Sequence, residues 1–282
     1  MKLPLFLCFV LPLSAFAQLY NGASLPFFEC EDQWVYFKRS SDDSLYHYGF
    51  VFLDEQSGFT LNHEGEFRIL PSGRWEALPH DTAYNTKIRL SATHLRVALM
   101  SADKRLNLNL PPVPDWLELY KFDTGSVQSL IRRGYHYNHV GASHRALVEL
   151  LTAYQVDPHA IGLAYELAYA HNHLENYGKA IEVIERSIRH NGNDAMLYRE
   201  LAYALAGLGN YGQAEITSRA GIEVCDDNDN RAEIAAHMAG VWYNVGDEKK
   251  FKEWAQIARE FAAPDSPFIE HLTNYEHALN SR

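Results

Sequence analysis

Apolar and polar residues alternate with a period of two in the first part of the chain. This pattern is typical of β-strands that bury one face. Gly58, Gly65 and Gly73 separate the alternating stretches at short intervals, as the turns of an antiparallel meander would. Three prolines within residues 110–116 then end the region, because proline cannot donate to a sheet ladder. The predicted strands centre on Trp34–Phe37, Phe67–Ile69, Leu95–Leu99 and Leu106–Leu110.

The pattern changes after residue 126, where apolar residues recur with the period of an α-helix. The sequence NYGKA at 176–180 returns as NYGQA at 210–214, and ELAYA at 166–170 returns unchanged at 200–204. Both recurrences have the same offset of 34 residues. Each unit contains two apolar helical stretches around a short break rich in Gly and Asn, which predicts a pair of helices.

The 34-residue register extends beyond these two copies. Backwards it reaches residue 127, and forwards it resumes after three extra residues, which we place in the acidic loop that follows Val224. In its period and its helix-turn-helix unit, this region resembles the tetratricopeptide repeat family. The predicted units are 127–160, 161–194, 195–228 and 232–265.

Small residues recur in step with this register. In the family that the region resembles, these are positions where two helix backbones pack too closely for a larger side chain. Phe251 departs from the pattern, and Gly221 is expected to weaken its helix, because Gly costs about 1 kcal/mol against Ala. The small residues are Gly134, Ala168, Ala202 and Ala239 in first helices, and Ala146, Ala153, Ala180, Ser187, Ala214, Gly221 and Ala258 in second helices.

A single helix pair cannot bury its apolar face, so the pairs are expected to stack and to need covers at the ends. Ser266 and Pro267 begin a last helix, over 266–282, whose apolar stripe would cover the final pair. We therefore predict an α+β protein with separate domains. An antiparallel β domain, 18–122, is followed by a junction, 123–126, and by a tetratricopeptide-like superhelix of four helix pairs with a capping helix.

The first 17 residues have the pattern of a signal peptide. One Lys precedes an apolar core, and Ala15 and Ala17 are spaced as a secretory peptidase requires. The sequence thus predicts export to a periplasmic, secreted or envelope-associated location. The apolar core is shorter than the roughly 18 residues that span a bilayer, so no stable membrane span is expected.

The charge balance disfavours several classes of partner. The chain has 25 basic and 36 acidic residues, a formal net charge of −11. Because a nucleic-acid binder needs a basic face, DNA and RNA are disfavoured as partners by this criterion, and so are anionic membrane surfaces. Cys30 and Cys225 lie far apart, and the sequence leaves open whether they form one bridge or remain two free thiols.

The resemblance implies where a partner would bind. In the family, the first helices line a concave groove, and their inward residues contact a partner peptide. Tyr135, Tyr169 and Tyr203 share one position in three successive units and offer flat amphipathic surfaces; alternatively, they pack between helices. Asn138 and Asn172 would bond to a peptide backbone. The implied groove residues are Tyr135, Asn138, His139, Tyr165, Tyr169, Asn172, His173, Arg199, Tyr203, Tyr243 and Asn244.

Other candidate sites have weak signals. His139 and His173 share a repeat position but lack a third ligand at fixed spacing. The sequence DDNDN at 226–230 resembles the start of a calcium loop, but Arg231 replaces the required glycine. In the first half, His63, Glu64, His80 and Asp81 lie near predicted turns and are interpreted as surface residues. We therefore predict no metal, no cofactor and no catalytic residue.

These observations predict an exported adaptor that holds a protein or peptide partner in the groove of its repeats. Its action would be binding and not turnover. The alternative makes the β domain a small-ligand-binding or hydrolytic domain, with the repeats as its docking arm. A purely structural role would show self-association through the repeat ends. The sequence leaves the identity of the partner open.

Overall fold

A computed structural model describes residues 24–38, 43–79, 86–91, 96–121, 125–190 and 194–281. The predicted signal peptide, 1–17, lies outside the described residues, as do His80 and Asp81. The chain divides into two compact units, one ending at Glu149 and the other beginning at Leu150.

The first unit contains an antiparallel sheet, as predicted. Along the sheet the order is β1-β7-β2-β3-β4-β5, and β6 also pairs with β4. Every pairing is antiparallel. The strands are β1 Leu25–Pro26, β2 Gln33–Phe37, β3 Tyr46–Asp54, β4 Gly58–Ile69, β5 Trp75–Ala77, β6 Thr86–Arg89 and β7 Arg96–Leu99.

Two predictions for the first half were wrong. Gly65 does not lie in a turn but inside β4, opposite Tyr48, where the register of β3 and β4 shifts at a bulge. The alternating leucines at 106–110 do not form a strand; Ala102–Asn107 is a short helix, α1. Leu108 is buried and Leu106 is exposed, because the chain here runs beneath the sheet and inserts only one of these leucines into the core.

The sheet is buried on both faces. On one face, Trp34, Phe50 and Phe52 form an aromatic core with Leu108 and with Trp116 of the 3₁₀ segment Asp115–Tyr120. On the other face, Phe59 packs against Tyr137 of helix α2, Val127–His139, with ring centroids 5.3 Å apart. The segment after the strands therefore covers one face, and the first repeat helix covers part of the other.

Helices follow in pairs, as the 34-residue period predicts. The small positions are tightly enclosed: Ala180 and Ala214 are both fully buried. Helix α10 closes the last pair with Leu272, Tyr275 and Leu279, which confirms the predicted capping helix. The helices after α2 are α3 Ser143–Val156, α4 Leu163–His173, α5 Tyr177–His190, α6 Ala195–Gly207, α7 Tyr211–Val224, α8 Asn228–Val245, α9 Glu248–Phe261 and α10 Pro267–Asn280.

The three extra residues of the fourth unit do not lie in a loop. Helix α8 begins at Asn228, where Asp227 is the N-cap and its side chain accepts a hydrogen bond from the Asn230 amide. Residues 228–230, proposed as part of an acidic loop, thus form the first turn of this helix. The additional residues make α8 longer than the other first helices of the pairs.

One face of α2 differs chemically from the matching face of α6. In α6, Leu197, Leu201 and Ala204 pack against the preceding pair, α4 and α5. The residues 68 positions earlier in α2 are Ser129, Arg133 and His136.

These three α2 residues bind the β-sheet region through polar contacts. Ser129 Oγ donates to Glu55 Oε2 at 2.7 Å, and Arg133 Nη1 donates to Glu31 Oε1 at 3.1 Å. His136 Nε2 lies 3.1 Å from the Glu55 carbonyl oxygen. The sheet region therefore contacts α2 on the face that a preceding repeat contacts in α6.

Gly221 gives a test of the close packing. A Cβ at 221 would lie 2.9 Å from Tyr198 Cβ, whereas a Cβ at Gly212 of the same helix would meet nothing within 4 Å. We expect Gly221→Ala to lower the free energy of unfolding by about 1–3 kcal/mol through overpacking, despite the higher helix propensity of alanine. Urea unfolding measures this, and Gly212→Ala is the matched control, expected to be neutral or stabilising. Equal effects of the two substitutions would contradict the packing argument.

Candidate functional site

The first helices of three consecutive pairs bring polar and aromatic side chains together in the second unit. Arg199 of α6 is central, with its side chain only 12% exposed. Its guanidinium donates to the hydroxyl of Tyr165 on α4 and to the carboxylate of Glu233 on α8. It also donates to Glu200 Oε1 at 2.7 Å. Since Tyr165, Arg199 and Glu233 are each 34 residues apart, one repeat position supplies all three.

The charge of Arg199 is fully used within this network. Burial by itself would lower the pKa of Arg199, but Glu200, Tyr165 and Glu233 raise it above its ordinary value. The guanidinium is thus held as a cation between two carboxylates. A ligand carboxylate would have to compete with these internal partners for its N–H groups.

Asn172 of α4 is also held in a defined orientation. Its Nδ2 donates to the Glu200 carbonyl oxygen at 3.0 Å and to Glu200 Oε2 at 2.9 Å. Both partners are acceptors, so the amide nitrogen must face them. Asn172 is 3% exposed, and its Oδ1 has no hydrogen-bond donor among the described residues.

Tyrosine and histidine rings stack along the same helices. The rings of Tyr169 and His173 are nearly parallel at 6.3 Å, and those of Tyr203 and His237 are 5.3 Å apart. Burial and the neighbouring Tyr177 and Glu200 raise the pKa of Tyr203 to about 12, so its hydroxyl stays protonated at neutral pH. We call Tyr165, Tyr169, Asn172, Arg199, Tyr203 and His237 the tyrosine face.

Gly207 allows Tyr177 to approach Tyr203. In α2 and α4, a histidine lies four residues after the repeated tyrosine, but Gly207 occupies that position in α6. A Cβ at 207 would lie 2.5 Å from the ring of Tyr177, whose centroid is 6.3 Å from that of Tyr203. The ring of Tyr177 therefore takes space that a side chain at 207 would need.

The predicted groove residues do not all come together. Tyr165, Tyr169, Asn172, Arg199 and Tyr203 form one network, with His173 exposed beside Tyr169. Tyr243 stacks on Tyr275 of α10 at 4.3 Å, in the cluster that closes the last pair. Its neighbour Asn244 is exposed.

The groove residues predicted on α2 belong to the first compact unit. There Tyr135 is 47% exposed and stacks on His139 at 5.9 Å. Asn138 is buried, and its Oδ1 accepts a hydrogen bond from Ser143 Oγ at 3.0 Å. The tyrosine–histidine stack thus recurs in α2 in the same i, i+4 arrangement as in α4.

Sequence reasoning missed Glu200, Glu233, His237 and Tyr177. Glu233 and His237 follow Arg199 and Tyr203 by 34 residues, the offset that links the earlier units. The register with three extra residues matched other α8 residues to these positions. The unbroken offset was the signal that could have found them.

The candidate residues of the β region have local contacts. His63 Nε2 lies 3.3 Å from Nδ1 of the buried His47, and Glu64 accepts a hydrogen bond from Asn62. In the described part of the chain, no group of three or more His, Cys, Asp or Glu side chains is arranged to hold a metal ion. Among the described helices, none has the length and apolarity needed to cross a membrane.

Comparisons with solved structures give partial similarities. A thermophilic TPR protein from Thermus thermophilus is 18% identical, with 54% of this chain and 82% of that chain covered, at a TM-score of 0.49. A MamA protein from Desulfovibrio magneticus is 18% identical, with 50% and 78% covered, at a TM-score of 0.42. Values this low carry no inference about function. No family model matches the chain, and no curated protein matches it.

The buried His237 gives a pH test. Burial and the nearby Arg199 lower its pKa to about 4, and neither ring nitrogen has a hydrogen-bond partner among the described residues. In the unfolded chain a histidine has a pKa of about 6.5. Between these values the unfolded chain binds more protons, so the free energy of unfolding should fall as the pH decreases from about 6.5 to about 4.

His237→Phe should make this pH dependence shallower, by up to about 1.4 kcal/mol per pH unit, because the ring can still stack on Tyr203 but binds no proton. Urea unfolding at pH 7.5, 6, 5 and 4.5 measures the slope. His277→Gln is the control, since it removes an exposed imidazole from α10. A variant slope equal to that of the unmodified protein would contradict the assignment.

Proposed function

We propose that this protein is an exported adaptor that binds a protein or peptide partner on the tyrosine face. The observation that carries the proposal is the network around Arg199, which holds Tyr165 in place and joins three helices. Such pre-ordered aromatic side chains lose little conformational entropy on binding. Tyrosine is also enriched among the residues that contribute most to protein interfaces.

The chemistry of the face favours binding over turnover. The phenols have a raised pKa, and burial lowers the pKa of His173. At neutral pH these groups are therefore uncharged and suited to stacking and hydrogen bonding. Export rests on the pattern of residues 1–17 alone. The domain limits 18–122 and 127–265 are part of the proposal, as is the inclusion of Tyr135, Asn138, His139, Tyr243 and Asn244 in the partner site.

The test replaces the two central rings. We expect Tyr169→Ala with Tyr203→Ala to weaken capture of the partner from extracts of the native organism at least about tenfold, since interface tyrosines each contribute about 2 kcal/mol. Quantitative mass spectrometry of the captured proteins measures the loss, and circular dichroism at 222 nm confirms that helicity is retained.

Tyr154→Ala is the matched control. It removes a tyrosine from α3 whose hydroxyl accepts a hydrogen bond from Arg186 on the second helix of the next pair. Its capture should equal that of the unmodified chain. If the double variant keeps its helicity and captures the same proteins equally well, the tyrosine face is not the partner site.

A further inference from the structure

The tyrosine face has an excess of negative charge. Glu200 and Glu233 both pair with Arg199, the cation of this network. Glu166 acts on the phenol of Tyr169 and Glu175 on that of Tyr203, and both contribute to the raised pKa of those groups. Because Arg199 opposes several carboxylates at once, the local balance is acidic, in the same sense as the whole chain.

The unsatisfied hydrogen-bonding capacity is that of an acceptor. Asn172 Oδ1 is buried without a donor among the described residues, while the N–H groups of Arg199 are directed to Tyr165, Glu200 and Glu233. Unpartnered buried acceptors are costly, and a ligand that brings N–H donors relieves that cost. A ligand rich in acceptors gains no such relief here.

Flat phenol rings add a preference for one kind of donor. A guanidinium is planar, carries five N–H donors and stacks on the face of a tyrosine ring. Tyr169 and Tyr203 supply such rings beside the carboxylates of Glu175 and Glu200. Charge, donor count and ring geometry thus favour the same side chain.

We infer that the tyrosine face binds a basic, arginine-bearing segment of a partner protein, with a guanidinium stacked on Tyr169 and Tyr203. The inference rests on the proposed function and specifies the chemistry of its partner. The net charge of −11 would speed the encounter with such a segment, and the speed would fall with rising salt.

The experiment measures binding of three fluorescein-labelled peptides to the full-length chain by anisotropy. The peptides are twelve residues long and differ only at four positions, which are arginine, citrulline or glutamate. Citrulline has nearly the shape of arginine but no charge. We expect the arginine peptide to bind at least about tenfold more tightly than the citrulline peptide, and its affinity to fall as NaCl rises from 50 to 300 mM.

Matched variants locate the effect. Glu175→Gln removes an exposed carboxylate beside Tyr203 and should weaken the arginine peptide about threefold to tenfold. Glu260→Gln removes the same charge from α9 and should leave the affinity unchanged. Tyr169→Ala with Tyr203→Ala should abolish the preference for arginine over citrulline.

The outcomes separate the two proposals. Equal affinity for the arginine and citrulline peptides, tighter binding of the glutamate peptide, or equal effects of Glu175→Gln and Glu260→Gln would each overturn the arginine inference. If the double tyrosine variant still loses its native partner in such a case, the adaptor function stands with a partner of different chemistry. If capture is also unchanged, both proposals fail.

Discussion

Close contact between helices at positions without a large side chain sets the geometry of the repeat region. Ala180 and Ala214 are fully buried at equivalent positions of α5 and α7, and Gly221 leaves room for Tyr198. Because these contacts recur at the same place in successive pairs, the pairs meet in a regular way. That regularity brings Tyr165, Arg199 and Glu233 within hydrogen-bonding distance, although each lies on a different helix. A larger residue at a small position would shift one pair and break the network.

The same requirement explains how the repeat helices are covered. An apolar helix face needs a neighbour, and α6 finds it in the preceding pair. In α2 the corresponding face is polar, and it meets Glu31 and Glu55 of the β-sheet region. At Phe251 the small position is lost, and aromatic packing with Tyr243 and Tyr275 of α10 fills the space. Each departure from the repeat pattern therefore matches a neighbour that is not another repeat.

The tyrosine face combines a rigid centre with uncharged rings. Arg199 is enclosed by its own carboxylates, so it organises the surface and offers little to an acidic ligand. The residual negative charge and the free acceptor of Asn172 leave a surface suited to donors. Recognition on this face would then depend on stacking and charge complementarity, and the internal ion pairs would fix the rings before a partner arrives.

The amino-acid sequence by itself determined the helix pairs, their small contact positions, the capping helix and the antiparallel strands, because these depend on local periodicity. It also indicated that Tyr169, Tyr203, Asn172 and Arg199 share a face. Only the tertiary structure decided that residues 102–107 form a helix and that α8 gains its extra residues within the helix. It alone placed Glu233 and His237 against α6 and Tyr243 against α10. Contacts between elements decided these points, and a period read along one chain does not contain them.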